Sequence, residues 1–344
     1  MSGSRVKELL ALGLIDRFIL FIFGLCLLSA CQSEREQETW TYRSLAMDTG
    51  VEVQVRDHLS DEQKLELSKI LSAEIERIES LVSLERQGSL INQWNREREL
   101  VNASQQSEEF FEFIERCFFF HEQTEGLFDI TVQPLWEWYW EQSLLEEGQQ
   151  AELVAEGVLA RIGMDKITRE GERLSLNHGS SVTLNGIGQG LVTDALYNVL
   201  EKYGIESALI NAGEYRALGE KEWKVALSSL NEEGTKNVWG EVRLSKGRAL
   251  AVSARNGYLF SRLKRKPSHI MHPQIWQGGA GEGEDDVAGG SQVRSVGVIA
   301  PDATTADALA TTFCLATEAM RSRILARFRE DSQAQQIELR VDPL

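Results

Sequence analysis

Residues 181–212 carry the pattern that decides the fold, and they read SVTLNGIGQGLVTDALYNVLEKYGIESALINA. The first four residues have the composition of a strand, and the glycine turn NGIGQG follows them. A helical pattern then leads into a second apolar strand, SALINA. Strand, turn, helix and strand in this order predict a βαβ-like unit.

The glycine turn has two interpretations. Gly186, Gly188 and Gly190 let the backbone approach a ligand or a neighbouring element closely. A nicotinamide-dinucleotide fingerprint would need its third glycine at position 191, where Leu191 stands, so spacing excludes that motif. Exposed N–H groups at the start of the following helix still favour a phosphate ligand. The alternative, a tight turn that binds nothing, stays open.

Further strand and helix patterns flank this unit on its N-terminal side. A half-buried strand is predicted at 51–55 (VEVQV), and amphipathic helices are predicted at 61–82 and 108–125, the second ended by Gly126. Four aromatic residues follow Pro134, and core or interdomain packing explains them more simply than a ligand platform: Trp136, Trp138, Tyr139 and Trp140.

A strand pattern at 295–300 turns at Pro301-Asp302 into a helical pattern over 303–316. Asp307 and Thr311 are four residues apart, so they share one face of this small-residue helix. An unpaired buried carboxylate is costly, and Asp307 therefore needs an arginine, a helix N-terminus or a cation as its partner. A carboxylate with a hydroxyl suits Mg²⁺ completed by ligand phosphates and water.

The N-terminus has the features of an exported lipoprotein. Residues 18–28 (FILFIFGLCLL) form an apolar run of signal-peptide length, and 28–31 (LSAC) resemble a bacterial lipobox. We expect a signal peptide at 1–30, lipidation at Cys31 and a tether over 31–44. Gln32 after the cysteine favours the outer membrane, facing the periplasm. A buried first helix is the alternative.

Composition narrows the functional classes. The 344 residues carry a formal net charge of −17, the wrong sign for non-specific binding to nucleic acid. The five histidines and four cysteines show no close-spaced zinc pattern, so oxygen atoms must hold any metal. Cys117 and Cys314 could pair, which the sequence does not decide. The stretch 277–291 (QGGAGEGEDDVAGGS) is typical of a flexible acidic loop.

The segment VIAPDATTADALATT (298–312) resembles the C-terminal signature of the ApbE family, the FAD:protein FMN transferases, also called thiamine biosynthesis lipoproteins. Further blocks resemble that family in the same order along residues 45–315: MDT at 47–49, residues 83–95, GLFDIT at 126–131, LNGIGQG at 184–190, NAGE at 211–214 and SHI at 268–270.

The resemblance implies an α+β fold of mixed sheets and packed helices over 45–344, a two-lobed single domain with an FAD cleft between the lobes. It implies Mg²⁺ held by the Gly188 carbonyl, the Asp307 carboxylate and the Thr311 hydroxyl. The positions that match the family's FAD-binding residues are Met47, Ser83, Glu85, Asp129, Thr131, Asn185, Gly186, Gln189, Asp194, Gly213, Glu214 and Ser253.

The implied activity is Mg²⁺-dependent transfer of FMN from FAD to a Thr or Ser hydroxyl of an exported acceptor protein, with release of AMP. His269 and Asp307 are the catalytic candidates, and a near-neutral pKa would suit His269 as proton acceptor or phosphate ligand. The expected partners are FAD, the acceptor and the membrane that holds the lipid anchor. No nucleic acid is expected.

Several positions depart from the family pattern. The family's H-x-x-D-P-x-T-G reads HIMHPQIW at 269–276, with His272, Ile275 and Trp276 at the changed positions, and Glu85 stands where a flavin-side tyrosine is expected. Glu214 and the residues after it resemble the branch associated with nitrous-oxide reductase and electron-transfer maturation. The alternative function is therefore a degenerate paralogue that binds FAD or a partner protein without transfer.

Overall fold

A hairpin of β1 (Trp40–Ala46) and β2 (Thr49–Val55) is the first pair of elements among the described residues. The computed structural model describes residues 39–146, 154, 156–230, 235–255, 268–272, 293–330 and 336–343. Because β1 begins at Trp40, residues 40–44 belong to a strand and not to the predicted tether. The predicted signal peptide, Cys31 and the 277–291 insert lie outside the described residues.

Seven strands form the main sheet, in the order β1-β2-β6-β7-β10-β11-β12. The added strands are β6 (Ala208–Asn211), β7 (Tyr215–Leu218), β10 (Ala249–Ala254), β11 (Val293–Ala300) and β12 (Glu338–Pro343). Each neighbouring pair is antiparallel, including β2 with β6 and β10 with β11. The predicted strands at 51–55 and 295–300 are thus confirmed as parts of β2 and β11.

The helices are α1 (Asp61–Val82), α2 (Leu90–Glu97), α3 (Gln105–Gln123), α4 (Gln133–Leu144), α5 (Glu156–Leu159), α6 (Gly188–Tyr203), α7 (Ala303–Leu315) and α8 (Glu318–Glu330). Short 3-10 turns cover Ile130–Val132 and Met164–Lys166. The second sheet has the order β3 (Glu99–Val101), β5 (Arg173–Leu176), β4 (Ile167–Glu170), and β8 (Trp223–Leu230) pairs with β9 (Lys236–Leu244).

Capping residues fix the helix ends as the sequence suggests. The Ser60 hydroxyl accepts a hydrogen bond from the Gln63 backbone N–H, and the Gln63 side chain accepts from the Ser60 N–H, so α1 starts at Asp61 as predicted. At α7, Asp302 caps the first turn by accepting from the Thr305 N–H at 2.8 Å. Helix α3 starts at Gln105, earlier than predicted, because Ser104 caps it.

The main sheet is covered by helices on one face and by the β8–β9 hairpin on the other, as the residues of β10 illustrate. Ala249 and Ala251 belong to the large core that the sheet forms with the helices, whereas Leu250 between them packs against β8 and β9. Successive strand residues point to opposite faces, so small residues here lie under α7 and a large residue faces the hairpin. This arrangement holds α7 close against the sheet.

The predicted βαβ unit is wrong in its first strand. Residues 181–184 form no regular strand, although Val182 and Leu184 are fully buried. Their backbone is held instead by the side chain of Asn95, which accepts from the Val182 N–H at 2.8 Å, and by the Ile130 carbonyl, which accepts from the Thr183 N–H at 2.8 Å. Only the helix and second strand, α6 and β6, form as expected.

Cys117 and Cys314 are both buried and both free, so the disulfide that the sequence left open is not formed between them. Within the described residues, no helix combines the length and the hydropathy that crossing a bilayer requires. The described residues from Trp40 onward make up a single compact unit.

Candidate active site

A cavity of about 410 Å³ opens where the α6 turn, the start of α4, β10 and α7 meet. Its walls include nine of the residues that the sequence singled out: Asp129, Asn185, Gly186, Gln189, Glu214, Ser253, His269, Asp307 and Thr311. Residues far apart in the chain are therefore brought to one cavity.

Asp307 lies at the inner wall of this cavity and is only 4% exposed. Its Oδ2 accepts a hydrogen bond from the Gly190 backbone N–H at 3.0 Å. Burial, with a smaller contribution from the Asp194 charge, raises the pKa of Asp307 to about 8. Among the described residues no arginine pairs with it, and the N-cap of its own helix is Asp302. Gly190 is the third residue of α6, so of the three partners considered above the structure provides a helix N-terminus, that of α6.

Thr311 lies one helical turn beyond Asp307 on α7, and its Oγ1 is 3.4 Å from the Ser253 Oγ on β10. The two hydroxyls and the Asp307 carboxylate line the same cavity. This is a set of hard oxygen donors, the type that Mg²⁺ prefers. No group of three His, Cys, Asp or Glu residues suited to a metal occurs in the part of the chain that the structure describes.

Glu214 supplies a second buried acid. It is 4% exposed and lines the cavity from the turn between β6 and β7. Burial, reinforced by the Asp307 charge, raises the pKa of Glu214 well above its usual range, although the backbone N–H of Val252 donates to the carboxylate. Two carboxylates thus share one poorly solvated space.

The glycines of the turn serve close packing rather than unusual backbone angles. A Cβ on Gly190 would lie 2.6 Å from the Ala303 carbonyl oxygen, so α6 and α7 touch at this point. Gly188, the proposed carbonyl ligand, is buried at the start of α6 against the Met47 side chain. Gln189 donates to the Thr49 hydroxyl at 2.6 Å and lies against Gly213, whose φ is +98°.

Asp194 has a structural role that differs from the predicted contact with FAD. Its carboxylate accepts hydrogen bonds from the backbone N–H groups of Ala303 and Thr304, at 2.8 and 2.9 Å, and from the Thr304 hydroxyl. Arg216 forms an ion pair with it at 2.8 Å. Asp194 therefore anchors the N-terminus of α7, the helix that carries Asp307, and is not part of the cavity wall.

Five other predicted FAD-binding residues also do not line the cavity. The Met47 N–H donates to Glu79, Ser83 ends α1, and Glu85 is exposed to solvent. The buried Thr131 hydroxyl donates to Asp129 and accepts from the Gly163 N–H at 2.6 Å. Gly213 accommodates the Gln189 side chain, as described above.

The sequence missed part of the wall. Trp136, assigned to packing, lines the cavity and stacks on Trp140 with ring centres 5.6 Å apart. Ser228, Ser229 and Lys236 come from β8 and β9, for which no motif was found. Of these residues, only Trp136 could have been expected at the cavity from the sequence, because it follows Thr131 of the GLFDIT block by five residues.

The two histidines of the HIMH segment behave differently. His269 is exposed and lines the cavity. His272 is buried, its Nε2 lies 2.9 Å from the Gly126 carbonyl oxygen, and burial lowers the pKa of its imidazole. His272 thus holds the segment against Gly126, whereas His269 is accessible to a ligand in the cavity.

A sequence profile of the ApbE family matches residues 47–335. The chain belongs to the ApbE family. The ApbE blocks that begin at residues 126, 184, 211, 268 and 298 each contribute residues to the cavity wall. The blocks at 47–49 and 83–95 do not line it but contact neighbouring residues, because Thr49 accepts from Gln189 and Asn95 accepts from the Val182 N–H.

One named relative agrees with this assignment. The Rhodobacter capsulatus protein named FAD:protein FMN transferase is 30% identical over 212 residues, which cover 60% of this chain and 38% of that relative. The chain thus spans well under half the length of that relative.

Two solved structures show the same fold. The flavin transferase ApbE from Vibrio cholerae has a TM-score of 0.66 and 21% identity over 88% of this chain and 93% of its own. The ApbE protein from Thermotoga maritima has a TM-score of 0.68 and 22% identity over 88% and 94%. The predicted α+β class is confirmed.

Proposed function

We propose that this ApbE protein is an Mg²⁺-dependent FMN transferase, which takes FMN from FAD, attaches it to a Thr or Ser hydroxyl of an exported acceptor protein and releases AMP. The observation that carries the proposal is Asp307, a buried carboxylate that lines the cavity with one backbone donor. Membership of the family and the name of the Rhodobacter capsulatus relative support the flavin chemistry.

The residues present fit an Mg²⁺ ion. We assign the Asp307 carboxylate, the Thr311 hydroxyl and the Gly188 carbonyl as its protein ligands, because a buried acid beside hydroxyls supplies the charge and the oxygen atoms that this ion requires. When bound, Mg²⁺ would neutralise charge on the diphosphate of FAD. The packing of α6 on α7 through Gly190 fixes the spacing between these ligands.

The reaction is an in-line displacement at phosphorus. The acceptor hydroxyl oxygen forms a bond to the FMN phosphorus, the bond from that phosphorus to the bridging oxygen breaks, and AMP leaves with the electron pair. The hydroxyl proton passes to a base. We assign that role to His269, because it lines the cavity yet stays accessible to an incoming protein.

The remaining wall suits the rings of FAD. Phe128, Trp136 and Met271 provide apolar surface, and Trp136 is stiffened by its stack on Trp140. Asn185 and Gln189 add amide groups near the glycine turn. Glu85, at the family's tyrosine position, is exposed and outside this wall, so we assign ring contacts to the aromatic residues of α4 and its approach.

The test is a transfer assay with purified protein, FAD, Mg²⁺ and an acceptor domain that carries a target threonine. We expect AMP by chromatography and covalent flavin fluorescence on the acceptor. Asp307→Asn should abolish both, whereas Glu76→Gln, on the exposed face of α1, should change neither. Absence of both products with the wild-type protein, or full activity in Asp307→Asn, would refute the proposal.

One observation favours a second function, binding of FAD or a partner without transfer. His272 stands where the family pattern has an aspartate, and it is buried against the Gly126 carbonyl, so that position offers no carboxylate. Stoichiometric binding of intact FAD with no AMP formed under any metal condition would select this alternative.

We also propose that a lipid on Cys31 anchors the protein, with the folded unit facing the periplasm and the outer membrane favoured. The lipobox-like residues 28–31 and Gln32 support this proposal. An acceptor that is itself exported would share the compartment. The resemblance of the 211–219 segment to the electron-transfer maturation branch favours an acceptor from a respiratory complex.

A further inference from the structure

Glu214 lies in a firmly held turn at the cavity. Its backbone carbonyl accepts a hydrogen bond from the Thr193 hydroxyl at 3.2 Å and from the Ala212 N–H at 3.1 Å. The next residue, Tyr215, begins β7 and pairs with Asn211 of β6. The backbone at Glu214 is therefore held by the sheet and by α6.

One oxygen of this carboxylate is unsatisfied. Glu214 is 4% exposed, and its Oε2 is buried without a hydrogen-bond donor in the described part of the chain. The described residues also provide no ion-pair partner for Glu214. Ser229 also lines the cavity, and its Oγ is likewise buried and unpartnered among the described residues.

The charge that Glu214 meets across this space is of its own sign. Asp307 is the charged group that acts most strongly on it, and both acids line the cavity. The exposed Lys236 also lines the cavity, but neither acid has an ion-pair partner among the described residues. Two such buried acids are stable only if at least one holds a proton or if a cation joins them. The buried Oε2 of Glu214, which has no donor among the described residues, favours the cation.

We infer that Glu214 is an additional carboxylate ligand of the divalent cation held by Asp307 and Thr311. The ion would be a hard divalent cation such as Mg²⁺ or Mn²⁺, which takes carboxylate and hydroxyl oxygens. This inference deepens the proposed function and rests on its cation site. It has a new consequence: with two protein carboxylates, the cation binds before FAD arrives and does not depend on the diphosphate for its charge balance.

The experiment measures Mn²⁺ binding to the purified full-length protein in the absence of FAD, by electron paramagnetic resonance of free Mn²⁺ and by calorimetry. Wild-type protein should bind Mn²⁺, with Mg²⁺ competing. Glu214→Gln should weaken the affinity by about tenfold or more, because one of two charged ligands is lost. Glu76→Gln should bind as the wild type does.

Folding of the variant is checked by its melting temperature, and Glu214→Asp provides a second variant that keeps the charge on a shorter side chain. Its Mn²⁺ affinity should lie between those of the wild type and Glu214→Gln. Wild-type Mn²⁺ affinity in folded Glu214→Gln would overturn the inference, and so would a wild-type protein that binds Mn²⁺ only when FAD is added.

Failure of this inference is distinguishable from failure of the proposed function. Mn²⁺ binding that depends on Glu214, in a protein that forms no AMP, supports the cation ligand and refutes the transferase. Normal transfer by a Glu214→Gln variant that binds Mn²⁺ as tightly as the wild type refutes the ligand and keeps the transferase.

Discussion

Asp307 sets the charge balance of the cavity, and its proton should govern stability when divalent ions are absent. The folded state raises the pKa of Asp307 from 3.8 to about 8 through burial. Between these values the unfolded chain has released a proton that the folded protein retains. Stability therefore falls as the pH rises from about 4 to about 8.

Asp307→Asn removes this dependence at one site. With divalent ions chelated, we expect the variant to melt above the wild type at pH 8, by about 2 °C or more for each kcal/mol recovered, and to match it at pH 4. Differential scanning fluorimetry across this range makes the comparison. A wild-type protein that gains stability over the variant as the pH rises would show that Asp307 is ionised without a metal.

Asp194 matches a family motif but supports α7 instead of lining the cavity. Asp194→Ala would leave Arg216 and the first N–H groups of α7 without their partner. We expect a loss of about 3–5 kcal/mol in unfolding free energy, the usual cost of breaking a buried pair. Urea denaturation measures it, with Glu76→Ala as the exposed control. FAD affinity per folded molecule should be unchanged, and a selective loss of FAD binding would contradict the assignment.

At the scale of elements, the crossing of α6 and α7 is the contact on which the cavity depends. A Cβ at position 190 would meet the backbone of Ala303 and Thr304 at 2.6 Å, and backbone cannot move aside as a flexible side chain does. Gly190→Ala should therefore cost about 1–3 kcal/mol or more by overpacking, although alanine is the better helix former.

Gly157→Ala is the matched control, because Gly157 is also helical and its Cβ would meet nothing within 4 Å. Thermal melting of both variants gives the comparison, and Mn²⁺ affinity reports whether α7 has moved. Equal stability of Gly190→Ala and the wild type would mean that the two helices separate at little cost.

The elements also show which local features a sequence encodes. Helix α1 could be predicted residue for residue, because Ser60 and Gln63 mark its start and apolar residues repeat along one face. Residues 181–184 could not, because their backbone partners are Asn95 and Ile130 rather than a neighbouring strand. A buried segment that pairs with no neighbouring strand has the same apolar sequence pattern as a strand.

At the scale of the whole molecule, the candidate site was predictable where a motif gives both the residue and the face of the helix on which its side chain lies. Asp307 and Thr311 share a helix face, and the structure places both at the cavity. The support that Asp194 gives to α7 could not be predicted, because its partners there lie more than a hundred residues away. Ser228 and Ser229 line the cavity because β8 packs beside it, and no short sequence motif predicts that packing.

The proposed anchor makes a prediction about the whole protein in the cell. Cys31→Ser removes the thiol that would carry lipid and leaves the folded unit from Trp40 onward unchanged. We expect the wild-type protein in the outer-membrane fraction and the variant in the soluble periplasmic fraction or retained as an unprocessed precursor. Immunoblotting of the fractions decides, and a wild-type protein found in the soluble fraction would contradict the proposal.

Cys117 and Cys314 are buried and unpaired, and burial raises the pKa of Cys314 to about 12. Only an ionised and accessible sulfur reacts with a maleimide or a disulfide reagent, so neither residue should be modified while its surroundings stay packed. The rate of alkylation at Cys117 and at Cys314 therefore reports how often the interior around each thiol opens.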